Sequence, residues 1–212
     1  MNHDELPAQP VIATTSAGSD ACDFALLFAT LDAFALALVH RDPETVRHQR
    51  HVGALAEEIG TAMGLPAERC KGLRIAGEMH DIGKWAVPEE LLDKPGPLSD
   101  SEFEVVKCHS TTGYEALSHV SFPWPVAEAV HQHHERLDGS GYPRHLKGNE
   151  ICLEARVIAV ADVLDAIAND RAYRRGAGYD AALRHLSENA GTAYDSQVVE
   201  ACIAVFGGAG LS

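Results

Sequence analysis

From about Asp20 to the end of the chain, apolar residues recur at steps of three and four, and no apolar/polar alternation runs longer than four residues. A chain patterned this way has no amphipathic strands to pair and must bury helix against helix. The fold expected is therefore all-α, a helical domain of seven to eight helices. With 212 residues and 46% hydrophobic content, the chain can enclose one core of useful size.

Local punctuation sets the helix boundaries. Residues 1–19 are rich in Pro, Ser, Thr, Ala and Gly and read as a flexible tail. An apolar helix over 20–40 follows, and then the main domain over 41–212. Asp42 is a fitting N-cap, with Pro43 at the first helical position, and this helix stops near Gly64 ahead of Pro66. Others are expected over 67–82, 99–118 (Ser99 and Glu102 spell a capping box), 125–134, 152–169, 179–189 and 195–206.

The stretch Ala21–Val39 approaches the length of a membrane span, but Asp23 and Asp32 interrupt it, each at a cost of a few kcal/mol at depth. It reads instead as a buried helix or an association surface, with Leu27 and Phe28 on the turns best placed for a homodimer. The acidic, proline-containing N-terminus is not a signal peptide. Five scattered cysteines form no CxxC pair and read as reduced, cytoplasmic thiols. A net charge of −14 argues against a broad basic face for long nucleic acid. A small anionic ligand remains open to it if metal ions or a few arginines supply local positive charge.

Chemistry gathers on the apolar faces. His48 shares one helical face with Val52, Leu55, Ile59 and Met63, and Glu44 precedes it by one turn on that face. His80 stands beside Asp81, with Lys84 one turn beyond. His109 follows Val105 and Val106, and the pair His133 and His134 meets the glycine-rich "DGSGYP". Neighbours on a helix diverge by about 100°, so that pair converges on one point only if the helix ends there. Asp162 interrupts an otherwise apolar helix, where a carboxylate needs a cation, a proton or an exposed polar stripe shared with Asp165. Taken singly, each has a bland reading as a satisfied core or surface group. Taken together, one Glu, two Asp and five His make a ligand set that suits iron, manganese or zinc. Eight donors exceed one ion, and Asp81 has two oxygens with which to bridge two ions about 3.5–4 Å apart, an arrangement that activates water and clamps a phosphoryl group.

The segments "MHDIGKWAVPEELLDKPGPLS", "HHERLDGSGYP" and "ARVIAVADVLDAIANDRAYRR" resemble the HD-GYP subgroup of the HD phosphohydrolase superfamily, from about Leu31 to Phe206. The resemblance implies a metal-dependent phosphodiesterase that hydrolyses cyclic di-GMP to the linear dinucleotide, with further cleavage to GMP left open. It implies that His48, His80, Asp81, His109, His133, His134 and Asp162 are metal ligands, with Asp81 bridging. Glu44 matches an acid that supports a third ion in some members, so two or three divalent ions are expected. Lys84 matches a lysine beside the attacking oxygen, Arg171 and Arg174 match phosphate-holding residues, and Tyr142 rims the pocket. The 20–30 residues ahead of the domain are too few for the input domain many members carry, which leaves regulation open, with signalling proteins among the partners the resemblance allows. Two other readings stand beside this one: hydrolysis of a different cyclic nucleotide, and a module that senses such a ligand without turnover.

Overall fold

A computed structural model describes residues 43–169 and 176–208, the side chains of Pro43 and Glu44 excepted. The expected N-terminal tail and the 20–40 helix lie outside the described residues, as do Asp42, Arg171 and Arg174. The described chain forms eight α-helices: α1 (Pro43–Ala62), α2 (Ala67–Met79), α3 (Glu89–Leu92), α4 (Asp100–Leu117), α5 (Val126–Gln132), α6 (Leu153–Ala168), α7 (Tyr179–Glu188) and α8 (Ser196–Phe206). Two short 3₁₀ segments, Ile82–Ala86 and Gly148–Glu150, join them. Among the described residues there is no strand, only an isolated bridge between Ala190 and Tyr194. No helix among them is long and apolar enough to cross a membrane.

The punctuation works as its chemistry requires. Gly64 ends the α1 turn with a φ of 75°, a backbone shape that costs glycine little. Ser99 accepts from the Glu102 amide while the Glu102 carboxylate accepts from the Ser99 amide, completing the capping box. Asp195 caps α8 by accepting from the Gln197 amide.

Helix α6 is the central post, packed against α1, α2, α5, α7 and α8. Its Val157, Ile158, Val160 and Leu164 join Val52 and Ile59 of α1, Leu73 of α2, Val130 of α5, Leu186 of α7 and Val198 of α8 in one dry core. The α1–α2 hairpin closes through two glycines. A Cβ at Gly77 would stand 2.7 Å from the Gly53 Cα, so the two backbones touch where they cross. Past that crossing the start of α1 and the end of α2 run side by side, which brings His48 and His80 together with ring centroids 5.1 Å apart.

Helix α2 departs from expectation. It stops at Met79, and His80 and Asp81 occupy its exit rather than its last turn. The cause is the next segment: a Cβ at Gly83 would lie 1.9 Å from the His109 carbonyl oxygen, so the 3₁₀ turn is pressed flat on α4. An uninterrupted helix could not make that approach. The contact sets Asp81 beside His109.

Candidate metal centre

Seven of the eight expected ligands come together, from five elements. His48 is supplied by α1, His80 and Asp81 by the exit of α2, His109 by α4, His133 and His134 by the end of α5, and Asp162 by α6. They fall into two sets whose donor atoms lie within 4.8 Å of one another: Asp81, His109, His133 and His134 in one, and His48, His80 and Asp162 in the other. Asp81 joins them. Its Oδ1 is 3.3 Å from His109 Nε2, and its Oδ2 is 3.3 Å from His80 Nε2 and 4.0 Å from His48 Nε2. The eighth, Glu44, lies in the first turn of α1, and its side chain is outside the described residues.

Three of the imidazoles are fixed in the tautomer that a metal needs. Nδ1 of His80, His109 and His133 each donates to the carbonyl three residues earlier, that of Gly77, Val106 and Val130, at 2.6, 2.7 and 2.6 Å. A carbonyl can only accept, so Nδ1 carries the proton and Nε2 presents a lone pair to the site. His48 is held differently, its Nδ1 paired with the Asp165 carboxylate at 2.5 Å while its Nε2 stands 3.1 Å from Asp162.

Burial and charge then set protonation. Burial holds His133 well below its ordinary value and His134 down to about 3, so neither competes for a proton at neutral pH. Burial also lowers His109, helped by the nearby Lys84. Burial opposes the charge on Asp81, but the Lys84 ammonium and the His80 imidazole outweigh it and keep the carboxylate ionised. Asp162 is kept ionised in the same way against burial, chiefly by His48.

These residues fit divalent ions. His80 Nε2 is buried and makes no hydrogen bond, and an orphaned lone pair 3.3 Å from an Asp81 oxygen is what an ion would satisfy. The mixed imidazole and carboxylate donors suit first-row metals, and the free cysteines Cys70, Cys108, Cys152 and Cys202 take no part in either set.

Lys84 reaches the site from the 3₁₀ segment rather than from an extension of α2, and its Nζ donates to Asp81 Oδ2 at 2.6 Å. The glycine-rich stretch folds back on the His pair. Gly141 lies so close that a Cβ there would stand 2.4 Å from the His134 carbonyl oxygen. The Tyr142 amide donates to that same oxygen, and the Tyr142 ring lies 4.7 Å from the His134 ring. The Tyr142–Pro143 peptide is cis.

Several supporting residues carry no mark in the sequence reading. Asp165 is not part of an exposed stripe; it is buried and accepts from His48, His51 and Asn169. The i, i+3 pairs His48/His51 and Asp162/Asp165 hold the signal, since each second member lies one turn along the same face. Buried Glu135 staples the glycine loop by accepting from the Arg144 and Leu146 amides, at 2.7 and 3.0 Å. Its spacing gives no hint of that.

Residues 33–198 match the model of the HD domain. The chain is 40% identical over 177 residues to the cyclic di-GMP phosphodiesterase of Thermotoga maritima, an alignment covering 82% of this chain and 48% of that protein. It is 45% identical over 130 residues to the 3′3′-cGAMP-specific phosphodiesterase 1 of Vibrio cholerae, covering 61% of this chain and 30% of that protein. Among solved structures it resembles an HDG"Y"P protein from Bdellovibrio bacteriovorus, with a TM-score of 0.65, 20% identity, and coverage of 90% of this chain and 62% of that one. The chain belongs to the HD domain family, and its His80-Asp81 and Gly141-Tyr142-Pro143 motifs place it in the HD-GYP branch. It spans about half the length, or less, of the curated relatives it matches.

Proposed function

We propose that this chain is a metal-dependent phosphodiesterase that hydrolyses cyclic di-GMP to the linear dinucleotide, with GMP as a further product. The observation that carries the reading is Asp81, whose two oxygens face two separate imidazole-rich donor sets. His48, His80 and Asp162 would hold one ion and His109, His133 and His134 the other, with Asp81 shared. Glu44 is the candidate donor for a third. Iron or manganese best matches this donor chemistry. Such ions, when bound, polarise a phosphoryl oxygen and acidify a water for in-line attack.

The chain's own groups do the rest. Lys84, 2.6 Å from Asp81 Oδ2, places an ammonium where charge grows on the phosphoryl oxygens. The imidazoles of His80, His109 and His133, fixed through their Nδ1 protons, already turn Nε2 to the site. His48, pushed against burial up to about 9 by its bonds to Asp162 and Asp165, would instead release a proton on loading. Tyr142, whose ring lies 4.7 Å from that of His134, would rim the site. Arg171 and Arg174, just beyond α6, are assigned to the substrate phosphates. The scattered reduced cysteines support a cytoplasmic location for this work, with signalling proteins as partners.

A second reading, hydrolysis of a mixed cyclic dinucleotide, is favoured by the 45% identity to the Vibrio cholerae relative. The metal ligands govern the reaction and leave base choice to other residues. A purely sensing role would not require seven converging donors. The test is turnover by the purified, manganese- or iron-loaded chain on cyclic di-GMP, 3′3′-cGAMP and cyclic di-AMP, with and without chelator. Chelator-sensitive hydrolysis that favours cyclic di-GMP is expected. Metal-replete protein that binds these ligands and turns none over would overturn the enzyme in favour of the sensor.

A further inference from the structure

A row of rings leads out of the metal centre. The His109 and His134 centroids are 5.0 Å apart, those of His134 and Tyr142 4.7 Å, and those of Tyr142 and Phe103 6.2 Å. The row begins in a dry interior, with His109 2% exposed, and ends at Phe103, 43% exposed on α4. At its outer end stands a cation. Lys107 Nζ is 4.9 Å from the Phe103 centroid and 5.4 Å from that of Tyr142. Its bond to Glu104, at 2.7 Å, is an exposed i, i+3 pair, which contributes little and leaves ammonium donors to spare.

Neither Phe103 nor Lys107 is needed to hold a metal. Both sit against the Tyr142 ring, on the helix that also carries His109, and so beside the site where the non-reacting part of a substrate would rest. A cyclic dinucleotide anchored by one phosphodiester at the metals still has a second phosphodiester and two bases to place. Every base has a π-face, and stacking on an aromatic side chain is a strong, sequence-tolerant contact. Lysine beside an aromatic ring serves the neighbouring phosphate as a point charge.

We infer that Phe103 and Lys107 form an outer subsite for the substrate, Phe103 stacking a nucleobase on its open face and Lys107 pairing with the phosphodiester that is not cleaved. The inference rests on the phosphodiesterase reading above and adds the residues that hold the far nucleotide. Tyr142 links this subsite to His134, so the bound base and the ligand cluster share one wall.

The test is steady-state kinetics on cyclic di-GMP with Phe103→Leu, Phe103→Trp, Lys107→Gln and Lys107→Arg, each with its metal content measured. Phe103→Leu keeps an apolar side chain and removes the π-face. KM should rise on the order of tenfold with kcat within about twofold and metal content unchanged. Phe103→Trp should stay near wild type. Lys107→Gln should raise KM and weaken its dependence on salt, and Lys107→Arg should restore both. An unchanged KM in Phe103→Leu would overturn the subsite, and so would a fall in kcat that tracks lost metal, which would mean a structural role. A wild type that hydrolyses no cyclic dinucleotide is a different result, and it removes the phosphodiesterase reading itself.

Discussion

Asp81 is the residue on which the site turns. It is 3% exposed and has lost most of its water, yet it stays ionised because the Lys84 ammonium stands beside it. Lys84 therefore holds the Asp81 charge, and in the proposed reaction it would also meet the charge that grows on the phosphoryl group. Lys84→Ala should keep most of its metal and lose on the order of 10²-fold in turnover, the scale of one electrostatic stabiliser. Metal analysis beside kcat separates this from a structural role, in which the two would fall together. Asp165 acts one step further back, by fixing the His48 ring. Asp165→Ala should weaken metal binding about 10- to 100-fold, with turnover recovered at saturating metal. A metal titration indistinguishable from wild type would dismiss this role. The candidate ligands were legible because each is a polar residue on an apolar face or at a helix end, in segments that resemble the HD-GYP subgroup. Asp165 left only the weak i, i+3 signal of His48/His51 and Asp162/Asp165, which an exposed stripe fits equally well, and Glu135 left none, because its partners are two loop amides.

At the scale of elements, the site depends on helices that approach more closely than ordinary side chains permit. Gly53 and Gly77 let α1 and α2 touch, and Gly83 lets the 3₁₀ turn lie on α4. A methyl group at position 77 would meet backbone, which cannot rotate away. Gly77→Ala should cost about 1–3 kcal/mol of stability by overpacking, read from denaturant unfolding. A midpoint equal to that of wild type would show that the hairpin has slack. The long helices were readable from caps, prolines and periodicity: Ser99 with Glu102, Pro66, Gly64. The end of α2 was not, since Gly83 meets the His109 carbonyl only after folding. The four-residue α3 carries too little periodicity to declare itself. The "DGSGYP" stretch was plainly a turn, but its fold-back onto His134 follows from contacts made at Gly141.

The whole molecule buries an imidazole-rich site within a chain of net charge −14. Such a charge repels polyanions, so the small anionic substrate proposed above would be captured by bound ions and a few basic groups close to the site. The all-α class was legible from the sequence, because a chain with helical periodicity throughout has only helix packing open to it. The convergence of five elements on one point was not legible from periodicity, which places each residue on a face and leaves open which faces meet. Sharing of the two donor sets through Asp81 is the central claim, and it is tested most directly by metal content and turnover of the loaded wild type against Asp81→Ala, with circular dichroism on both. The wild type should bind two or more ions per chain and hydrolyse cyclic di-GMP, and Asp81→Ala should lose both properties while its helical spectrum persists. An Asp81→Ala protein that keeps its ions and its turnover would contradict the account.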